Sequence, residues 1–155
     1  MNRNEFVEKV RQIYVSEELE RITEVVSKIP EKVLVPLYDI TKGHNASPPG
    51  KYDNETKIIT LNEDDFNPKV LFHEIGHSIY HECPEIAEIT NSEYKKNPFI
   101  EIETIGEGLS WEQGAAEFCA NAYQLCETET ISTDEDPERF RSLAEKLREY
   151  GVQTV

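Results

Sequence analysis

The sequence predicts a single α+β domain over residues 1–155, mainly helical, with a small β-sheet beside a histidine-bearing helix. Several segments repeat apolar residues every three or four positions, the spacing that gives a helix one apolar face. One short segment, KIITL at 57–61, is rich in the β-branched residues that strands favour. A chain of 155 residues is long enough for one hydrophobic core and short for two.

Two helices are predicted on either side of the central region. The first runs from about residue 17 to 28, with Ser16 as its N-cap and apolar residues at helical intervals. The last begins at Asp136 and Pro137 and ends at Gly151, a residue type typical of helix C-termini. Its apolar residues also recur at helical intervals: Phe140, Leu143, Leu147 and Tyr150.

The connecting segments are less regular. Residues 30–40 fit either a short helix opened by Pro30 or a strand. Residues 41–56 are rich in Gly, Pro, Asn and Ser, which predicts a loop before the KIITL strand. Residues 84–109 show weak periodicity, so we expect a long irregular connection with at most one short element.

The charge of the chain limits its partners. Thirty-one acidic residues against sixteen basic ones give a formal net charge of −15, which argues against nucleic acid or an anionic membrane surface. Such a charge would attract a basic peptide, or it would simply keep a small protein soluble. Both interpretations stay open.

The sequence also bears on location. Residues 1–14 lack the apolar stretch of a signal peptide, and no run approaches the length of a membrane span. Cys83, Cys119 and Cys126 are an odd set without disulfide spacing, and the latter two are expected in the core. We therefore expect a soluble cytoplasmic protein as the chain stands, with a piece of a longer exported protein as the alternative.

The segment VLFHEIGHSIYHE contains the clearest chemical signal. It lies on a predicted helix over residues 68–82, which has Pro68 at its first position. His73 and His77 are four residues apart, so they project from the same helix face and can share one metal ion. Neutral imidazole suits Zn²⁺, and a catalytic zinc site needs a third protein ligand and one position left for water.

The neighbours of the two histidines have separate expected roles. Glu74 is rotated from His73 by about 100°, and in the known use of this motif it is the general base towards the metal-bound water. Gly76 costs a helix about 1 kcal/mol relative to Ala, which indicates that something passes close to the helix backbone there. His81 lies one turn further and has drifted around the axis by about 40°, so we expect it to flank the site.

The third ligand is expected to be a carboxylate from a later helix. That helix begins at Ser110, which forms a capping-box pattern with Gln113, and it carries Glu112 and Glu117. Glu112 lies in the first turn, where the helix dipole favours an acid whatever its function. Glu117 lies among Ala and Phe residues and needs a partner if it is buried. One turn beyond it, Asn121 is placed to hydrogen-bond a ligand side chain.

The segments VLFHEIGHSIY (70–80) and AAEFCANAYQL (115–125) resemble the catalytic domain of anthrax lethal factor and its relatives, the secreted Pro-Pro endopeptidases. The resemblance implies a zincin-like fold and one Zn²⁺ per chain, held by His73, His77 and Glu117, with Glu74 activating the water. It also implies a strand near Lys57–Leu61 whose edge can hold an extended peptide.

One position departs from the pattern of that family. Its members place a tyrosine about two helical turns before the ligand glutamate to stabilise the oxyanion, whereas this chain has Ser110 and Trp111 there. The oxyanion role is therefore unassigned. Its candidates are Tyr94, Tyr80 and His81.

A second resemblance leaves the third ligand open. ImmA-type regulatory peptidases also have HExGH, followed by E-x-x-A-x-x-F-A, and EQGAAEF fits that pattern with Glu112 as ligand. We expect a zinc-dependent endopeptidase acting on an extended peptide or protein. The acidic net charge favours a basic substrate, and the first resemblance favours a proline near the cleaved bond. The alternatives are a cytoplasmic peptidase that cleaves a repressor, and a weakly active peptide-binding module with a zinc ion.

Overall fold

The computed structural model describes residues 1–13, 20, 23, 24, 27, 29–43, 50–62, 68–98, 110–131 and 136–151. Most of the elements bounded within these ranges are helices, and the strands form one small sheet, so the expectation of a mainly helical α+β domain is confirmed. The elements are α1 (Arg3–Ile13), α2 (Glu31–Leu34), β1 (Asp39–Gly43), β2 (Gly50–Asp53), β3 (Ile58–Asn62), α3 (Pro68–Glu82), α4 (Pro84–Lys96), α5 (Trp111–Thr128) and α6 (Glu138–Tyr150).

The helix predicted over residues 17–28 is described only in part. Positions 20, 23, 24 and 27 are helical, and the others lie outside the described residues. The segment 30–40 satisfies both of its alternatives, because it contains α2 and the start of β1.

The sheet has the order β1-β3-β2. Strand β1 pairs with β3 in parallel, with Asp39 opposite Ile58, and β2 pairs with β3 antiparallel, with Tyr52 opposite Ile59. The expectation that the strand near Lys57–Leu61 offers a free edge is therefore wrong, because β3 is the central strand. The edge strands of the described sheet are β1 and β2. The loop predicted over residues 41–56 is therefore wrong for β2, which lies within it.

A second correction concerns the chain after α3. Residues 84–96 form the helix α4 and not an irregular connection. Pro84 occupies its first turn, where a backbone N–H would have no partner within the helix, so the N–H that proline lacks is not missed. The buried face of α4 includes Thr90 and Glu93 beside Ile86 and Tyr94, and these polar residues obscure the apolar periodicity. Residues 99–109 lie outside the described residues.

The ends of the last two helices follow the sequence expectations. In α5 the Ser110 hydroxyl accepts a hydrogen bond from the Gln113 N–H, and the Gln113 side chain accepts one from the Ser110 N–H. Helix α6 ends at Gly151, whose φ of 83° is the left-handed conformation that glycine tolerates best.

Cys119 and Cys126 are buried, as expected, and neither forms a disulfide. None of the helices in the described ranges is long and apolar enough to cross a membrane.

Helices α3 and α5 pack against each other through small residues. A Cβ added at Gly76 would lie 2.6 Å from the Ala120 Cα and 3.2 Å from the Tyr123 Cβ. The first distance is shorter than Cβ contacts in proteins allow and is made to a backbone atom, so any residue other than glycine would force α3 and α5 apart. The expected close approach to the backbone at Gly76 is thus confirmed, and the approaching group is the backbone of α5 at Ala120. This contact brings the histidine face of α3 against α5.

Candidate metal centre

Three side chains from α3 and α5 converge. The Nε2 atom of His77 lies 2.8 Å from Oε1 of Glu117, and the Nε2 atom of His73 lies 3.2 Å from Oε2 of the same carboxylate. One ligand atom from each residue falls within 4.8 Å of the other two. The histidines are one turn apart on α3, and Glu117 faces them from the middle of α5.

This donor set fits a zinc ion. Zinc binds imidazole nitrogen and carboxylate oxygen at about 2.0–2.2 Å in tetrahedral geometry, which puts neighbouring ligand atoms about 3.3–3.6 Å apart. The observed separations of 2.8 and 3.2 Å are on that scale. Two imidazoles and one carboxylate also leave the fourth tetrahedral position to a water or a substrate.

The electrostatics favour an ionised carboxylate beside two imidazoles. Burial alone would raise the pKa of Glu117, but the hydrogen bonds from His73 and His77 outweigh it and hold that pKa well below its ordinary value. Burial acts to lower the pKa of His73, yet the hydrogen bond and charge of Glu117 raise it overall. Glu117 therefore carries a negative charge at neutral pH where a cation would be bound.

Glu74 lies beside this group without joining it. It is only 5% exposed, and burial is the main cause that raises the pKa of its carboxyl. The backbone N–H of Tyr52 in β2 donates a hydrogen bond to the same carboxylate. A buried carboxyl with a raised pKa, one residue from a metal-binding candidate, is suited to accept and return a proton.

Strand β2 passes close to Glu74 because of a glycine. A Cβ added at Gly50 would lie 2.4 Å from Cγ1 of Val70 and 3.2 Å from Cγ of Glu74. Sequence reasoning missed both Gly50 and Tyr52, since they belong to the segment interpreted as a loop. The signal that could have found them is the short GKYD segment, which lies three residues before KIITL.

Tyr94, one candidate for the oxyanion role, lies in the core. Its side chain is 1% exposed, and its ring packs 5.3 Å from that of Trp111 and 5.5 Å from that of Phe118. The structure therefore places this ring among other aromatic rings.

Tyr80 and His81 lie at the C-terminal end of α3. The hydroxyl of Tyr80 donates a hydrogen bond of 2.8 Å to Oδ1 of Asn91. The His81 ring lies 6.1 Å from the ring of Tyr52 and 5.4 Å from that of Tyr80. His81 thus flanks the cluster of described metal-ligating groups without entering it, as the helical drift predicts.

The remaining candidates are on α5. Glu112 is exposed in the first turn and is not part of the described cluster, which contains Glu117 instead. Asn121 is 1% exposed, and its amide oxygen has no hydrogen-bond partner within the described part of the chain. The fully buried Gln124, which sequence reasoning missed, interacts with the His73 imidazole. Its position seven residues after Glu117, two helical turns away, was the available signal.

The comparisons with protein-family models, with curated proteins and with solved structures find no match. The likeness of the two motifs to lethal factor-type peptidases therefore stays an expectation from the sequence. The geometry of the cluster around His73, His77 and Glu117 is what bears on function.

Proposed function

We propose that the protein is a zinc-dependent endopeptidase with a zincin-like fold. One Zn²⁺ per chain would be held by His73, His77 and Glu117. The observation that carries the proposal is the convergence of these three donors, from two helices, beside the buried carboxyl of Glu74. A purely structural zinc site uses four protein ligands, whereas the described cluster has three.

The residues of the chain have defined tasks in this reaction. When held by His73, His77 and Glu117, the zinc would polarise a substrate carbonyl and lower the pKa of a water to about 7. Glu74 takes a proton from the attacking water and returns it to the nitrogen of the leaving amine. The N–H of Tyr52 holds the Glu74 carboxylate through a hydrogen bond, and burial keeps bulk water away from it.

The substrate we infer is an extended peptide or a protein segment. Strand β2 is at the edge of the described sheet and passes beside Glu74, and an edge strand can pair with an extended chain through backbone hydrogen bonds. The net charge of −15 favours a basic substrate. A proline near the cleaved bond is implied only by the resemblance to Pro-Pro endopeptidases.

Zinc content and peptide cleavage test the proposal together. The purified protein should contain about one zinc per chain and cleave peptides of a diverse library. Glu74→Gln should retain the zinc and lose at least about a hundredfold in kcat/KM, the usual contribution of a general base. The matched control is Glu145→Gln on the exposed face of α6, which should cleave like the wild type. A zinc-loaded Glu74→Gln variant with wild-type activity would refute the mechanism.

A second candidate is a zinc-containing peptide-binding module. It is favoured by the lack of an evident oxyanion-stabilising tyrosine. Tyr94 lies in the core, and Trp111 stands near the position where the peptidases that this chain resembles have that tyrosine. In that case the same library would show peptides bound by the zinc-loaded protein and none cleaved. Wild-type turnover that depends on Glu74 rules this candidate out.

A further inference from the structure

A cavity lies further along α3 and α5 from the candidate metal centre. It is about 370 Å³ in volume, and it opens between the C-terminal end of α3, the middle of α4 and the first turn of α5. Its described lining residues are Tyr80, His81, Ala87, Asn91, Trp111 and Glu112.

The cavity lies within reach of a peptide bound at the metal centre. His81 follows His77 by four residues on α3, and Glu112 precedes Glu117 by five on α5, which are rises of about 6 and 7.5 Å along the two helices. An extended peptide advances about 3.3 Å per residue. A side chain two or three residues from the cleaved bond can therefore enter the cavity.

The walls combine an aromatic face with one carboxylate. Trp111 is 46% exposed although its ring also packs against that of Tyr94. Glu112 is exposed beside it, and no lysine or arginine is among the described lining residues. The charge of Glu112 also acts on Tyr80, where it adds to burial in raising the pKa of the phenol. The described lining thus carries one carboxylate, and no lysine or arginine, next to an exposed aromatic ring.

We propose that this cavity is a specificity subsite for a cationic side chain of the substrate, with arginine preferred to lysine. The inference rests on the proposed peptidase function. A guanidinium can stack on the Trp111 ring and donate two parallel hydrogen bonds to the Glu112 carboxylate, whereas an ammonium lacks the flat face. Asn91 adds a polar wall, although its Oδ1 already accepts the bond from Tyr80.

Matched peptides test the subsite through cleavage. The peptides carry either arginine or its neutral analogue citrulline at each of three positions on both sides of the cleaved bond. At one position the wild type should cleave the arginine peptide with about tenfold higher kcat/KM. Glu112→Gln and Trp111→Leu should each reduce that ratio to below about threefold. The control Glu145→Gln removes the same charge outside the cavity and should keep the full ratio.

Tryptophan fluorescence supplies a readout that does not need cleavage. Trp111 is the only tryptophan of the chain, so the emission of zinc-loaded Glu74→Gln reports on this cavity. The arginine peptide should change the emission at about tenfold lower concentration than the citrulline peptide. The same preference should be lost when Glu112→Gln is added.

The two readouts separate the two proposals. Cleavage without any preference for arginine, or a preference that survives in Glu112→Gln, overturns the subsite and leaves the peptidase function intact. A Glu112-dependent fluorescence preference without cleavage by the wild type overturns the peptidase function and keeps the cationic subsite. Equal fluorescence titrations with both peptides and no cleavage overturn both.

Discussion

The backbones of Gly76 in α3 and Ala120 in α5 are in close contact, and a Cβ on Gly76 would lie 2.6 Å from the Ala120 Cα. Because the opposing atom belongs to a backbone, it cannot move aside without moving the helix. This contact sets the separation between the helix that carries His73 and His77 and the helix that carries Glu117. The geometry of the candidate metal centre therefore depends on a glycine that contributes no ligand.

Gly76→Ala should lower the stability of the protein. Replacing glycine by alanine inside an ordinary helix adds about 1 kcal/mol of stability, but overpacking at this contact should remove about 1–3 kcal/mol. Urea unfolding measures the free energy, and a zinc titration of the folded variant should show weaker binding than in the wild type. A variant more stable than the wild type would mean that α3 and α5 can separate at no cost.

Glu117→Ala and Glu112→Ala should differ in zinc content. Loss of Glu117 removes one of three converging donors, so the purified variant should contain little zinc, whereas Glu112→Ala should keep about one ion per chain. Bound zinc also stabilises the folded state, by about 2.7 kcal/mol at a free concentration one hundred times the Kd. Thermal unfolding with added zinc should show this gain for Glu112→Ala and not for Glu117→Ala. The reverse pattern would assign the third ligand to Glu112.

Gly50→Ala should impair cleavage more than zinc binding. The new methyl group would meet Val70 and the Glu74 side chain, and it should shift β2 relative to α3 and misplace the carboxylate that the Tyr52 N–H holds. A misplaced proton acceptor should reduce kcat/KM by roughly tenfold or more, with about one zinc per chain retained. Unchanged kinetics would show that the position of β2 has no influence on Glu74.

Glu93 should make stability depend on pH. It is 7% exposed and forms ion pairs with Lys96 and Lys146. Burial acts to raise the pKa of Glu93, but the hydrogen bonds and charges of the two lysines hold it below its ordinary value. The ionised form is thus favoured by folding, so the stabilisation is present above the unfolded-state pKa of about 4.3 and is lost as pH falls through the lower folded pKa.

Urea unfolding of the wild type and Glu93→Gln across this pH range measures the effect. At pH 7 the wild type should be more stable by about 1–3 kcal/mol, and the difference should shrink below about pH 4 as the carboxylate is protonated. The exposed Glu145→Gln should show little difference at either pH. A difference in unfolding free energy between wild type and Glu93→Gln that stays constant down to pH 3 would contradict the stabilising role of the Glu93 carboxylate.

The sequence determined the features that depend on neighbours along the chain. Helical spacing put His73 and His77 on one face, and the Ser110 capping box and Gly151 marked the start of α5 and the end of α6. These signals are local, since capping and periodicity act within one or two turns. They were sufficient for the helix boundaries around the candidate site.

Local signals were insufficient where distant partners decide the structure. Strand β2 contains Gly50 and Lys51, which have little strand preference, and it exists because β3 pairs along its whole length. Helix α4 buries Thr90 and Glu93, and the partner that neutralises Glu93 on α6 is more than fifty residues away. An apolar pattern cannot report a buried face of this kind.

The choice between Glu112 and Glu117 could be made only by the tertiary structure. The two carboxylates are five residues apart on one helix and therefore point about 140° apart around its axis, and either fits a recognisable motif. Which of them meets His73 and His77 depends on how α5 is rotated against α3. The contact between Gly76 and Ala120 fixes that rotation, and it places Glu117 against the histidines and Glu112 at the neighbouring cavity.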